Sequence, residues 1–439
     1  MYKPPKSEPE YYKNFSQIKP LMNDNQAYYE SSRCLFCYDA PCVNACPTKI
    51  DIPLFIRQIN NGNITGAAKT IYDSNYFGNA CGKVCPTDVL CEGACVYNLQ
   101  DVKPIEIGRL QSFASTNAVK RSIKLFEPGK SINKKVAVIG AGPAGVSCAC
   151  ELRLLGCEVD IFEAKEKPSG LTLYGVAPYK ITNANALDEI DYLQGQFDFK
   201  INFNSPKSTK EDFTKLEEKY DAVFLGIGLG NTSSISIDGE DLENCVGAAE
   251  FIAKLRIEKH KAKVGKKVIV LGGGNTAMDA ASESARMGAE KVILAYRRSP
   301  KEMGAYIFEF DLAKSVGVDG LFNVSPVEIM GNGKVTGVKF VRTKRVNDKI
   351  ENIPGSEFME ECDMVIKATG QIKQTEVLKN IPGIRYDGKG RVIADPVTFQ
   401  TDNPKYFAAG DVYNGGVEVV NAVAEAKKAA VGIVDWLIG

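Results

Sequence analysis

Apolar residues in the first quarter of the chain recur at helical spacing. Leu54 to Ile59, Ile64 to Ile71 and Ile107 to Val119 each place apolar side chains three and four residues apart, which predicts short amphipathic helices. No convincing strand pattern occurs before about residue 128. Glu127 to Lys134 then gathers Pro, Gly, Ser and Asn, as a linker does. Beyond it the pattern changes. Lys135 to Ile139 reads as a buried strand, Gly140 to Gly145 as a turn, the stretch to about Leu155 as a helix, and Cys157 to Phe162 as a strand. The same succession returns at Lys267 to Leu271, Gly272 to Gly274, a helix to about Met287, and Lys291 to Tyr296. Repeated strand–turn–helix–strand units predict an α/β protein with parallel sheets covered by helices. The two Gly turns are too far apart for one such unit, so two nucleotide domains are expected. Strand-like returns at Asp221 to Gly226, Asp363 to Ala368 and Tyr406 to Ala409 would complete the sheets.

Composition narrows the class. The 439 residues are 44% hydrophobic and 25% charged, as in globular proteins, with zero formal net charge. No run of five basic residues occurs, so neither a nucleic-acid nor an anionic-membrane surface is indicated. Apolar stretches such as Val268 to Leu271 are far short of a membrane span, and the N-terminus lacks the apolar core of a secretory signal. A cytoplasmic protein is expected. Eight of the thirteen cysteines lie between Cys34 and Cys95. In a reducing compartment such a cluster points to metal rather than disulfides. The single histidine, His260, nearly excludes His-based metal sites and His general-base catalysis.

The Gly turns carry the first chemistry. Gly140 permits the tight turn, Gly142 lets a pyrophosphate approach the backbone, and Gly145 lets helix and strand pack closely. Pro143 and Ala144 open the helix whose N-terminus receives the phosphate. Glu163 ends the next strand, where a carboxylate can accept hydrogen bonds from ribose hydroxyls. The second fingerprint is Gly272, Gly274, Asn275, Thr276 and Ala277. Its second strand ends without an acid, in Arg297 and Arg298. Two guanidinium groups suit a 2′-phosphate, so NADPH is preferred and NADH is the alternative. Cys148 and Cys150 point different ways on one helix and read as core packing, which removes a redox dithiol.

The cysteines form two runs. Cys34, Cys37, Cys42 and Cys46 make the first, and Cys81, Cys85, Cys91 and Cys95 the second. Each contains a Cys-Pro step, as ferredoxin cluster runs do. Zinc is the alternative. Its usual Cys pairs with two to four intervening residues fit this spacing poorly, and zinc cannot carry electrons.

Tyr406 to Asp411 resembles the segment of the two-dinucleotide-domain flavoproteins whose Gly410 and Asp411 equivalents meet FAD. Ala368-Thr369-Gly370 resembles that family's crossing back from the nicotinamide domain. The resemblance implies FAD at the first fingerprint and the nicotinamide at the second, inserted one. From about Ser31 onward the chain is similar to the flavin/iron–sulfur portion of dihydropyrimidine dehydrogenases. The similarity rests on Arg33 to Thr48, Cys81 to Thr87, Leu90 to Cys95 and Pro104 to Gln111. Glutamate synthase small subunits and NADH-dependent ferredoxin–NADP oxidoreductases share the plan.

The resemblance implies a helical iron–sulfur domain (1–128), an FAD domain in two parts (129–242 and 368–439) and a nicotinamide domain between them (243–367). It implies two [4Fe–4S] clusters. One is held by Cys34, Cys37, Cys42 and Cys95, the other by Cys46, Cys85, Cys91 and Gln111, with Cys81 the substitute for Gln111. Ser169-Gly170 and Val176 to Thr182 depart from the family's pattern near the flavin, and Gly170 is still expected at the FAD. The implied role is electron input from NAD(P)H through FAD and the clusters to a partner subunit. That partner is expected to be an FMN barrel acting on uracil or thymine, in a hetero-oligomer. A glutamate synthase large subunit and a ferredoxin partner are the alternatives, and a redox sensor is the non-enzymatic one. No acid–base residue is required, because the cofactors do the hydride chemistry.

Overall fold

Asp51, Asn63 and Thr182 each accept a hydrogen bond from a backbone N–H three residues on, at 3.1, 2.9 and 3.1 Å. Such caps satisfy N–H groups that a helix leaves unpaired at its start. The helices Ile52–Asn60, Ile64–Ser74 and Asn183–Phe197 begin there. In the computed structural model, which describes residues 2–439, the cysteine region consists of short helices, and the longest is Ile107–Lys120. Each buries the face that the apolar spacing marks: Phe55, Ile56 and Ile59 on one, Ala67, Ala68 and Ile71 on the next.

The chain divides into two units. The first comprises Gln17–Leu173, Lys180–Leu229 and Lys373–Gly439. It contains the cysteine region and a five-stranded sheet in the order Tyr406–Ala408, Ala222–Leu225, Lys135–Ile139, Glu158–Phe162, Lys200–Asn202. All four pairings are parallel. The chain leaves Lys135–Ile139 toward one side and returns on the other at Ala222–Leu225. This is the crevice where parallel sheets bind ligands. Helix Val419–Ile438 packs on Pro143–Leu154, which buries Cys148 and Cys150 completely.

Within this unit the cysteine region is tied to the helices of the five-stranded sheet through Glu189. Its carboxylate is 1% exposed. It accepts the N–H groups of Asn79 and Ala80, at 2.7 and 2.9 Å, and the Tyr72 hydroxyl at 3.1 Å. The two N–H groups belong to the start of helix Gly78–Val84, which carries Cys81 and precedes Cys85. A carboxylate is favoured at such a terminus.

The second unit comprises the segment ending at Ser16, Tyr174–Tyr179 and Gly230–Ile372. Its parallel sheet runs Cys245–Gly247, Met364–Lys367, Lys267–Leu271, Lys291–Tyr296, Val318–Phe322. A separate antiparallel sheet, built on Lys334–Val346 with Val324–Asn332, Lys349–Asn352 and Phe358–Glu361, has no counterpart in the sequence reading. Residues 2–16 also differ from that reading, which keeps 1–128 together. Tyr11 and Phe15 stack at 4.5 Å and are buried with Tyr179, Leu255 and Ala281. Asn14 donates to the Arg286 carbonyl at 2.8 Å, and Arg286 donates to the Asn14 carbonyl at 2.7 Å. Two buried rings and this reciprocal pair attach the segment to the second unit. Among the described residues, no helix is long and apolar enough to cross a membrane.

Burial raises the Glu189 carboxyl from 4.5 to about 7. Between those values the folded chain keeps a proton that the unfolded chain has released. The stability this gives is complete below the unfolded value and is lost as pH rises through about 7. A shift of this size corresponds to about 3 kcal/mol. Glu189→Gln is expected to flatten the fall of the apparent melting temperature across this window. An unchanged slope would assign the pH dependence to other groups.

Candidate functional site

Pairing of Ile139 with Leu225 brings the Gly140–Ala144 turn beside Gly226–Leu229. A cleft of about 360 Å³ opens there. Gly140, Gly142, Pro143, Ala144, Glu163, Gly170 and Asp411 all line it. Gly140 has φ +99°, and a Cβ there would stand 2.5 Å from the Gly226 carbonyl oxygen. Gly145 sits behind the wall, where a Cβ would collide with the Gly140 carbonyl oxygen. These two positions let the helix start close to the strand, with its N–H groups toward the cleft.

Glu163 is fixed by the turn it faces. One oxygen accepts the Ala141 N–H at 2.7 Å and the other the Lys165 N–H at 2.8 Å. Each keeps acceptor capacity for a hydroxyl. The Gly410 N–H donates to Glu425 at 2.8 Å, which holds the turn that presents Asp411. Burial raises the Asp411 carboxyl above the usual carboxylate range, and Lys373 opposes the shift. Gly410 supports the cleft without lining it. Thr369 and Gly370 belong to the second unit and are not part of the lining. There the Thr369 hydroxyl donates to the Ser233 carbonyl at 3.0 Å.

In the second unit, Gly272 follows the strand and Gly274 caps helix Asn275–Arg286. The Asn275 side chain accepts the Tyr306 N–H at 3.0 Å, Thr276 is exposed and Ala277 is buried. The Tyr296 ring lies against Gly273. Arg297 is exposed and Arg298 half-buried. Glu302, the acid whose charge Arg298 feels, is engaged by the Ser299 hydroxyl at 2.7 Å and by Arg345.

The cysteines surround two cavities. Cys34, Cys37, Cys42 and Cys95 line the first, with apolar walls from Ile52, Ile56 and Ile107. Cys46, Cys81, Cys85, Cys91 and Gln111 line the second, with Asn75 and Val420. The first cavity thus draws Cys95 from the later run, and the second draws Cys46 from the earlier one. Gln111 Nε2 donates to the Gly78 carbonyl at 2.7 Å, which leaves Oε1 as the cavity-side atom. All thirteen cysteines are free thiols. Among the described residues no three His, Cys, Asp or Glu side chains converge on a single ion. The thiols stand around spaces instead.

Burial pushes the Cys42 thiol up to about 12 and raises Cys34 and Cys91. A hydrogen bond that the Cys85 thiol gives to Cys81, together with burial, raises Cys85. Thiolates are the metal-binding form, so these positions need a cationic group inside the cavity to hold them ionised. An iron–sulfur cluster has that chemistry, and the donor set fits it.

The cleft at Gly140–Ala144 and the second thiol cavity share a wall. Glu418, Val419 and Ala422 line the cleft, and Val420 lines the cavity. Sequence reasoning missed Val420 and Asn75, which carry no motif and reach the cavity only through folding.

Comparison with known proteins places this geometry. Residues 11–123 match the family model of dihydropyrimidine dehydrogenase domain II, 4Fe-4S cluster. Residues 89–180 and 134–426 match the model of pyridine nucleotide-disulphide oxidoreductases. The chain belongs to the pyridine nucleotide-disulphide oxidoreductase family. It is 35% identical over 446 residues to the glutamate synthase [NADPH] small chain of Escherichia coli (strain K12), covering 96% of this chain and 94% of that one. It is 32% identical over 421 residues to the NAD-dependent dihydropyrimidine dehydrogenase subunit PreT of Salmonella typhimurium, covering 96% and 97%. Among solved structures, Mycobacterium tuberculosis FprA in complex with NADPH shares the fold, with a TM-score of 0.57 and 19% identity over 69% of this chain and 84% of that one. This family member is an NAD(P)H-dependent oxidoreductase, and iron–sulfur, FAD and a nicotinamide dinucleotide are its cofactors.

Proposed function

We propose that the chain is the electron-input subunit of a larger enzyme, taking electrons from NADPH and delivering them to a partner protein. The observation that carries this reading is the wall shared by the flavin cleft and the second thiol cavity, within one folded unit. FAD, when bound, would supply a hydride acceptor for the nicotinamide, and the clusters would supply single-electron carriage onward.

The protein's own part is binding and positioning. Gly142 and the start of helix Pro143–Leu154 receive the pyrophosphate of FAD, Glu163 its ribose, and Asp411 the ribityl region. Gly272, Gly274 and the start of helix Asn275–Arg286 receive the pyrophosphate of NADPH. Arg297 and Arg298 hold its 2′-phosphate. Two [4Fe–4S] clusters occupy the thiol cavities, the first on Cys34, Cys37, Cys42 and Cys95, the second on Cys46, Cys85, Cys91 and the Gln111 Oε1. The free thiols suit the cytoplasm.

The partner we infer is an FMN-containing subunit that reduces uracil or thymine, and the Gly108-Arg109-Leu110-Gln111 ending supports it. The 35% identity to a glutamate synthase small chain favours a second reading, with a glutamate synthase large subunit as partner. Anaerobic co-purification followed by coupled assays separates the two. NADPH oxidation that depends on uracil supports the first. Oxidation that depends on glutamine and 2-oxoglutarate replaces it with the second.

Two substitutions test the sites. Arg297→Glu with Arg298→Glu is expected to raise the KM for NADPH at least about tenfold, the loss of one or two charge-assisted hydrogen bonds. NADH use should change much less. Unchanged NADPH kinetics would remove the phosphate clamp. Cys81→Ser should leave the EPR signals of both reduced clusters intact. Loss of one signal would make Cys81 the ligand in place of Gln111.

A further inference from the structure

Asn75 forms part of the wall of the second thiol cavity. It is 0% exposed. Its side-chain oxygen accepts the Phe77 N–H at 2.9 Å, and its own backbone N–H donates to the Ile71 carbonyl at 2.9 Å. The accepted bond orients the amide and leaves Nδ2 as its free end. Nδ2 is buried and has no hydrogen-bond partner. An unmatched buried amide donor costs about 1–3 kcal/mol. Folded proteins rarely leave one without a ligand or ordered water to explain it.

The cavity's other amide makes the contrast. Gln111 donates one Nε2 hydrogen bond to the Gly78 carbonyl. Asn75 has no such acceptor in the chain, and an occupant of the cavity it lines can supply one. Cluster sulfides and cysteinyl sulfurs that carry negative charge are acceptors of this kind. Each added electron makes them better acceptors, so a donor here favours the reduced state.

We infer that Asn75 Nδ2 donates an N–H···S hydrogen bond to the cluster in the second cavity and raises its reduction potential. Asn75 is thus a positioning and tuning residue, and Lys19 supports the same shift from outside the cavity. Lys19 donates to the Cys85 carbonyl at 3.2 Å and to the Thr87 hydroxyl at 3.0 Å, which puts a positive charge beside one thiolate. The inference rests on the two-cluster reading above.

The experiment is an EPR-monitored redox titration of the holoprotein with Asn75→Leu and Asn75→Asp, both of which remove the amide donor. Iron and acid-labile sulfide are measured first. About eight of each per chain are expected from two [4Fe–4S] clusters. About four would remove the cluster reading itself. With the full content present, the midpoint potential of one cluster should fall in both variants, and the other cluster and the FAD content should not change. Potentials equal to those of the native protein overturn the inference. If either variant loses its cluster, native protein grown with [15N]asparagine decides. Pulsed EPR of the reduced clusters should then show 15N coupling, and its absence also overturns the inference.

Discussion

The buried carboxylate of Glu189 fixes where the cysteine helices stand on the flavin sheet. It takes two backbone N–H groups at the start of helix Gly78–Val84 and the Tyr72 hydroxyl from the preceding helix. The helix that carries Cys81 and leads into Cys85 is thereby held by a residue more than a hundred positions later. Tyr76 and Lys427 add a second tie, both to Glu151, at 2.7 and 3.0 Å. These contacts set the distance between the thiol cavities and the flavin cleft. Electron flow between redox groups depends steeply on distance, so the ties matter to function as much as to stability.

Much of this architecture was readable from residues. Lys267–Leu271 and Lys291–Tyr296 stand where the apolar runs place them, because strands buried on both faces read as unbroken hydrophobic stretches between turns. Gly140 and Gly145 were readable because no residue with a Cβ fits there. The antiparallel sheet was not. Its strands alternate apolar residues with Lys, Arg and Glu on an exposed face; one hairpin turn uses Asn347 and Asp348 at positive φ, while the other, at Asn332-Gly333, is a turn signal that the reading passed over. Residues 2–16 were also misplaced, since nothing near Tyr11 and Phe15 in sequence shows what buries them.

The site divides along the same line. Motif residues at the flavin cleft come together because they are local to one strand–turn–helix unit, with Asp411 joining through a parallel strand. Thr369 and Gly370 were expected beside the same cofactor and lie outside its cleft. Asn75 and Val420 meet only through tertiary folding, and no spacing rule brings them together. In the proposed reading the residues that line the cleft bind and orient the cofactors that do the chemistry.

The exchange of cysteines between the two runs bears on how such a protein can be made and how it can change. Neither cavity is complete on a nascent chain until the ribosome has passed both runs, because the earlier cavity waits for Cys95 and the later one includes Cys46. Each cavity therefore depends on residues from both runs. A deletion that removed either run would disable both cavities.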